Sequence, residues 1–545
     1  MKKTLFALFA FFAFTSLPAQ FKNIRVSNSS ASQPNEVSIT INPANPSFIA
    51  AGSNLNLLYT SADEGRTWAQ KQMSSIWRVY GEPCLVYDKN GFLFYGHLSD
   101  QRNTGSGYWI DRIVVQRSAT NGTNWDYDVG VGYAPPVKQQ DKEWIGVDLS
   151  DSKFKNNLYM AWTEFDKYGS SSTSDSTRIL LSRSTNSGQS WSSPIRINTR
   201  SGDCIDDDNT VEGCVPAVGP NGEVYLSWSG PAGLMFDKST DGGVTFGSDV
   251  KVSSLYGGWA FDIAGINRCN GMPITGCDIS NSNYRGNIYI NWSDQINGDT
   301  DIFLAKSTDG GKTWSAAKRV NNDFLKRDQF FTWMRVDPIT GIIYIVFYDR
   351  RDNLDPSSTQ THVYLARSDD GGETFKNYRV TETPFFPNAN IFFGDYTGIA
   401  AYNRKVYPIW MRMDGNTMSV WTALIDDSQL ATGIEQDQHV PSEFRLYQNY
   451  PNPFNPETTI SYSLPVETRH SAGGGSSLQH VTLKVYNVLG LEIATLVDEY
   501  KQPGNYKVTF NARHLERSRE MTSGVYVYRL TTGKSEAVCK MVYIK

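Results

Sequence analysis

Short runs of alternating apolar and polar residues recur along most of the chain. An apolar stretch closing on Tyr-x-x-Trp or a close variant appears as Phe94-Tyr95-Gly96-His97, Tyr159 to Trp162, Tyr225 to Trp228, Tyr289 to Trp292, Tyr344 to Phe347 and Tyr407 to Trp410. A shorter strand-like run precedes each, as in Leu85-Val86-Tyr87-Asp88, Ile145 to Asp148 and Met334 to Asp337. A third run follows each, and a fourth closes the unit, as in Lys318-Arg319-Val320 and Tyr378-Arg379-Val380. Such runs have the period of half-buried strands, and each unit is too small to bury its own faces. The pattern predicts a ring of four-stranded sheets stacked face to face.

Between the third and fourth strands the chain spells Ser-x-Asp-x-Gly-x-Thr-Trp or a variant, at Ser61, Ser118, Ser184, Ser239, Ser307 and Ser368, spaced by roughly 55–68 residues. Asp63, Asp241, Asp309 and Asp370 occupy the third position, with Thr120 and Asn186 in the other two copies. Ser and Asp are suited to close a turn on backbone N–H groups, Gly supplies a positive φ, and the terminal Trp or Phe anchors the chain in the core. Counting from the inner strand gives seven units, the first from Val37 and the last from Gly398 to Ala423. The last lacks a fourth strand, and Phe21 to Val26 reads as the missing one, so the termini close the ring and remove a free sheet edge. Six units is the alternative.

Composition then bounds the setting. Lys2 and Lys3 before an apolar run from Leu5 to Phe14, with Ala19 as the cleavage residue, read as a signal peptide over residues 1–19. The 51 basic and 56 acidic residues balance to -5, which argues against nucleic-acid binding. No later segment is apolar enough to span a membrane, and a monomer is expected. In an exported chain, Cys204 with Cys214 and Cys269 with Cys277 are expected to form two local disulfides.

The boxes resemble the Asp boxes, or BNR repeats, of sialidase-like propellers, over residues 20–426. The resemblance implies an all-β, seven-bladed β-propeller with the box aspartates as structural residues, away from the functional centre. It also implies, as the enzyme alternative, an exo-sialidase-like glycoside hydrolase acting on extracellular glycans. That activity needs an arginine triad, a Tyr nucleophile with a Glu, and an Asp acid/base. The family's Arg-Ile-Pro signature has no match, and Arg25 falls on an outermost strand. After a polar linker at 427–441, residues 442–545 carry Tyr450-Pro451-Asn452-Pro453-Phe454-Asn455-Pro456, Tyr486-Asn487-Val488-Leu489-Gly490 and Ser523-Gly524-Val525-Tyr526. These resemble the type A sorting domain of the type IX secretion system, which implies a small Ig-like β-sandwich, passage through the periplasm, recognition by the translocon, and a secreted or cell-surface destination.

Acids recur just before the inner strands: Glu36, Glu82, Asp141, Glu143, Glu212, Asp328 and Asp395. In a ring these entrances converge on one mouth. Glu82, Asp141, Asp328, Arg335, Asp395 and Tyr396 are candidate catalytic residues, because a carboxylate pair can perform acid/base chemistry on a glycoside. Glu36, Trp144, Trp333 and Asp349 are candidate ligand contacts, with aromatic rings available to stack on sugar faces. Asp206, Asp208 and Glu212 place oxygen ligands on a short tether and are a candidate structural Ca²⁺ site. No cofactor is required. The favoured expectation is a non-catalytic surface module whose acidic, aromatic face binds glycan or protein.

Overall fold

The computed structural model describes residues 21–100, 109–132, 138–323, 326–353, 355, 357–432, 444–465, 479–501, 504–514, 521–533 and 535–545. The signal-peptide segment, most of the linker and the glycine-rich stretch at 471–477 lie outside them. The chain divides into two compact units, Met1–Leu430 and Ala431–Lys545.

The first unit holds seven antiparallel sheets built on four consecutive-neighbour strands. The first comprises Ser38–Ile41, Ile49–Ser53, Leu57–Ser61 and Ala69–Gln72. The seventh comprises Gly398–Tyr402, Lys405–Asp414 and Thr417–Ala423, and its fourth strand is Asn23–Arg25 from the N-terminal end. Register there runs Asn23↔Ala423, Ile24↔Thr422 and Arg25↔Trp421. The innermost strands neighbour one another in cyclic order, with the seventh beside the first. Each runs from one end of the ring, the mouth, towards the end bearing the boxes.

The six boxes share one hydrogen-bond pattern. In every copy the Ser Oγ accepts the N–H of the residue four positions on, from Gly65 and Gly122 through Gly372, at 2.8–2.9 Å. Box aspartates accept from the Thr backbone N–H and hydroxyl, as Asp309 does from Thr313 at 3.0 and 2.6 Å. In the degenerate copies Thr120 Oγ1 and Asn186 Oδ1 accept the equivalent N–H at 2.8 and 3.0 Å, so the turn survives without a carboxylate. The two central residues adopt left-handed backbone, for example Gly310 (φ 75°) and Gly311 (φ 83°), which explains the Gly-Gly spelling. The closing aromatic of each box is only half-buried. Full burial falls instead to Trp162, Trp228, Trp292 and Trp410 of the second strands.

Three expectations are corrected. All six cysteines are free thiols. The inner strand Ile274–Cys277 starts at the mouth and leaves Cys277 at its far end, whereas Cys269 stays in the mouth segment. Cys204 pairs by a β-bridge with Ser170 of the third sheet's outer loop, and Cys214 lies before the fourth inner strand. The linker does not begin at residue 427: Asp427–Thr432 is a short helix, and Asp427 pairs with Arg367 and Arg404 of the first unit.

The second unit has a three-stranded sheet (Arg445–Leu446, Glu457–Leu464, Gly504–Asn511) and a four-stranded one (Glu492–Lys501, Gln479–Asn487, Gly524–Thr531, Glu536–Tyr543). Alternate residues of both, including Ile460, Tyr462, Leu483, Val485, Tyr528 and Met541, share one core. Among the described residues no helix is long and apolar enough to cross a membrane.

Candidate functional site

Glu36 (φ 51°), just before the first inner strand, and Glu82 (φ 49°), Lys142 (φ 52°) and Phe331 (φ 50°), within the mouth ends of the second (Gly81–Tyr87), third (Gln139–Val147) and sixth (Gln329–Val336), sit in left-handed backbone. For the last three the strand register slips at that point, between Gly81 and Cys84, Asp141 and Trp144, and Phe330 and Trp333. Non-glycine residues rarely accept this conformation, and bulges of this kind re-aim side chains. Here the result is convergence. Lys142 Nζ lies 2.7 Å from Asp395 Oδ2, 3.3 Å from Glu82 Oε1 and 3.7 Å from Glu36 Oε1, which joins the third, seventh, second and first sheets through one ammonium group. Its side chain is 4% exposed. Burial opposes its charge, but Asp395, Glu82 and Glu36 prevail and raise its pKa.

A segment between the fourth and fifth sheets reaches over this centre. Its Ala260–Phe261 pairs with Cys269–Asn270. Arg268 Nε donates to Asp395 Oδ1 at 3.0 Å and Nη1 to Asp206 Oδ2 at 3.3 Å, while Asn270 Nδ2 donates to the Asp395 carbonyl at 3.0 Å. The segment is tied down further along: Arg350 Nη2 donates to Ala264 O at 2.6 Å, and Trp259 N donates to Asp208 Oδ1 at 2.7 Å. Burial works to raise the pKa of Asp395, yet Lys142 and Arg268 hold it well below the usual carboxylate range.

Other carboxylates there lack such partners. Both oxygens of Glu143 and of Glu212 are buried without a hydrogen-bond donor. Burial, reinforced by neighbouring carboxylates, raises the pKa of Glu36, Asp141, Glu143 and Glu212. With Glu82, Asp206 and Asp395 these make an acid-rich centre in which Lys142 and Arg268 are the cations. Beneath it Trp144 and Trp333 pack with ring centroids 4.3 Å apart, and Tyr396 stands 5.6 and 5.5 Å from them. The Tyr396 hydroxyl is buried without a partner.

Of the residues singled out from sequence, Glu36, Glu82, Asp141, Asp395 and Tyr396 come together. Trp144 and Trp333 plug the ring and do not offer a face to a sugar. Asp328 stands apart and accepts from Thr300 N at 3.4 Å. Asp349 is buried against Arg351 at 2.7 Å. Arg335 lies near the opposite end of its strand, away from the mouth. Arg350 holds Ala264 O, and Arg412 Nε pairs with Asp414 at 2.9 Å, so among the described residues no arginine triad converges. Asp206 accepts from Tyr168 and Arg268, and Asp208 caps Trp259. Among the described residues no group of three or more His, Cys, Asp or Glu is arranged to hold a metal. Sequence reasoning passed over Lys142 and Arg268. The signal for Lys142 was a lone base flanked by Asp141 and Glu143 at an entrance where the other units place acids; Arg268 had none.

Residues 448–545 match the secretion system C-terminal sorting domain family. The chain is therefore marked for type IX export, to the cell surface or the extracellular space. It interacts with that machinery through this domain. No curated protein matches. Among solved structures, a protein of unknown function from Dyadobacter fermentans is similar at 11% identity and TM-score 0.41, over 74% of this chain and 97% of that one. Trypanosoma rangeli sialidase is similar at 12% identity and TM-score 0.43, over 96% and 89%. A Hadza microbial sialidase is similar at 13% identity and TM-score 0.39, over 70% and 73%. Likeness at this level carries no argument about activity.

Proposed function

We propose that the first unit is a seven-bladed β-propeller, exported by its sandwich-like sorting domain, that binds an extracellular glycan or protein through its mouth face without chemically altering it. The observation that carries this reading is the placement of exposed apolar side chains. Leu55 (61% exposed), Ile76 (75%), Tyr80 (40%), Ile205 (49%), Tyr256 (69%) and Phe386 (52%) all stand on loops at the mouth. On the box side only Val244 and Ile339 are comparable among the described residues. Exposed apolar groups gathered on one face, rimmed by polar ones, mark interaction surfaces, and Tyr and Phe suit both protein contacts and sugar stacking. The centre of the same face is closed. Its carboxylates are buried or tied to Lys142 and Arg268, so among the described residues no open acid/base pair flanks a space for a glycosidic bond.

A hydrolase of sialidase-like shape is the second reading, favoured by the partnerless Tyr396 hydroxyl near Glu82. A fluorogenic glycoside panel that includes sialosides separates the two. The binding reading expects no turnover by the full chain. Turnover abolished in Asp395→Asn or Glu82→Gln, with the fold intact by circular dichroism, would establish the hydrolase instead.

A further inference from the structure

Below the Trp144–Trp333 plug the ring encloses a tube of about 140 Å³, lined by all seven innermost strands and reaching the first residues of the box-side turns at Pro43, Leu149, Ile279, Pro338 and Tyr402. A single water needs only roughly 10–15 Å³ on this measure, so the tube has room for a chain of heavy atoms. Arg335 is the one charged side chain in its wall, which otherwise combines aliphatic side chains such as Ile39, Val86, Val147 and Ile274 with the hydroxyls of Thr40 and Thr275. The register explains how singular that charge is. Arg335 pairs across its sheet with Tyr344. The positions in the same register of the other six sheets are Thr40, Val86, Gly146, Ala217, Gly276 and Ala400. One repeat in seven thus breaks a rule of small or apolar residues, and it does so with a guanidinium.

No described residue pairs with that guanidinium. Asp337, the carboxylate whose charge acts on it, is spent on backbone: it accepts from Ile339 N at 2.9 Å, Asn403 N at 3.0 Å and Arg404 N at 2.8 Å. Arg335 is exposed, yet ringed by protein that lowers its pKa through desolvation. It lies next to the last residue of the strand Gln329–Val336, near the box-side opening, while the depth of the tube ends on two tryptophans.

We infer that this tube is a second binding site, for a single-headed anionic amphiphile such as a fatty carboxylate, with the head on Arg335 and the chain against the inner strands. A planar guanidinium fits a carboxylate with two parallel hydrogen bonds, and the aliphatic side chains of the inner strands, Ile39, Val86, Val147, Ile274 and Val336 among them, offer contacts to the chain. The site is on the opposite face from the proposed ligand surface and does not depend on it.

The test titrates the full chain with decanoate, below its micellar range, by calorimetry and by the emission of the tryptophans flooring the tube. Decanol and acetate serve as controls for chain alone and head alone. Saturable decanoate binding is expected, roughly ten- to a hundredfold weaker in Arg335→Met, with decanol and acetate no better than that variant. The Arg335→Met protein should keep its melting temperature, because the guanidinium makes no hydrogen bond to lose. Absence of saturable decanoate binding would overturn the proposal, as would equal binding by Arg335→Met or by decanol.

Discussion

The two ends of the ring use the same residue types to opposite effect. At the box end, aspartates are open to solvent and saturated with donors. Hydrogen bonds from Thr67, aided by Ser61 and backbone N–H groups, hold Asp63 down to about 2. At the mouth, carboxylates are buried beside one another, so burial pushes Glu36, Asp141, Glu143 and Glu212 up, and the last two are also without a donor. The box end repeats because each of the six sheets whose third and fourth strands follow one another in the chain needs the same turn. The mouth breaks the repeat, placing Lys142 where its neighbours place Glu36 and Glu82. Repetition here marks what the fold requires, and its interruption marks where the molecule departs from what folding alone would ask.

The sharpest way to break this contrast is Lys142→Met. It leaves Asp395, Glu82 and Glu36 without their shared cation and should cost about 3–5 kcal/mol, read from urea unfolding of the full chain. A loss under 1 kcal/mol would mean that the centre is wet and relaxed. Next comes the double variant Glu143→Gln, Glu212→Gln. These acids bind protons more tightly folded than unfolded, so their contribution is fully present below the ordinary carboxylate range near 4 and drains away as pH rises through their raised values. The double variant should therefore gain roughly 1–3 kcal/mol at pH 7 and nothing near pH 4. The box aspartates have the reverse slope, with stability present above the ordinary range and lost as pH falls towards 2. Asp241→Ala should cost only about 1 kcal/mol at pH 7, since the Val244 and Thr245 donors it releases are exposed and water can take them. Smallest of all, Tyr256→Ala with Phe386→Ser should move stability by no more than about 0.5 kcal/mol, because both side chains are exposed.

Much of the ring was legible because it is periodic. The Tyr-x-x-Trp strands and the boxes gave the four-strand unit, and the Arg-Val ending of Phe21 to Val26 gave the strand that pairs with Thr417–Ala423. The convergence of Glu36, Glu82 and Asp395 followed from their shared place before the inner strands. What the sequence withheld depends on side-chain direction and on non-repeating chain. Arg268 belongs to a segment with no counterpart in other units. Asp349 looked like a mouth acid, but Arg351 two residues on folds back to neutralise it. The cysteine pairs are close in sequence, but Ile274–Cys277 is a strand, and a strand separates what lies at its two ends.

The central claim is that the mouth rim, and not the box end, meets the ligand outside the cell. Binding of the full chain to an array of extracellular glycans and immobilised surface proteins tests it directly, comparing the native sequence, Tyr256→Ala with Phe386→Ser, and Asp241→Ala. The account predicts binding without turnover that falls at least about tenfold in the rim variant and is unchanged in the box variant. Binding that survives in the rim variant and is lost in the box variant would contradict it.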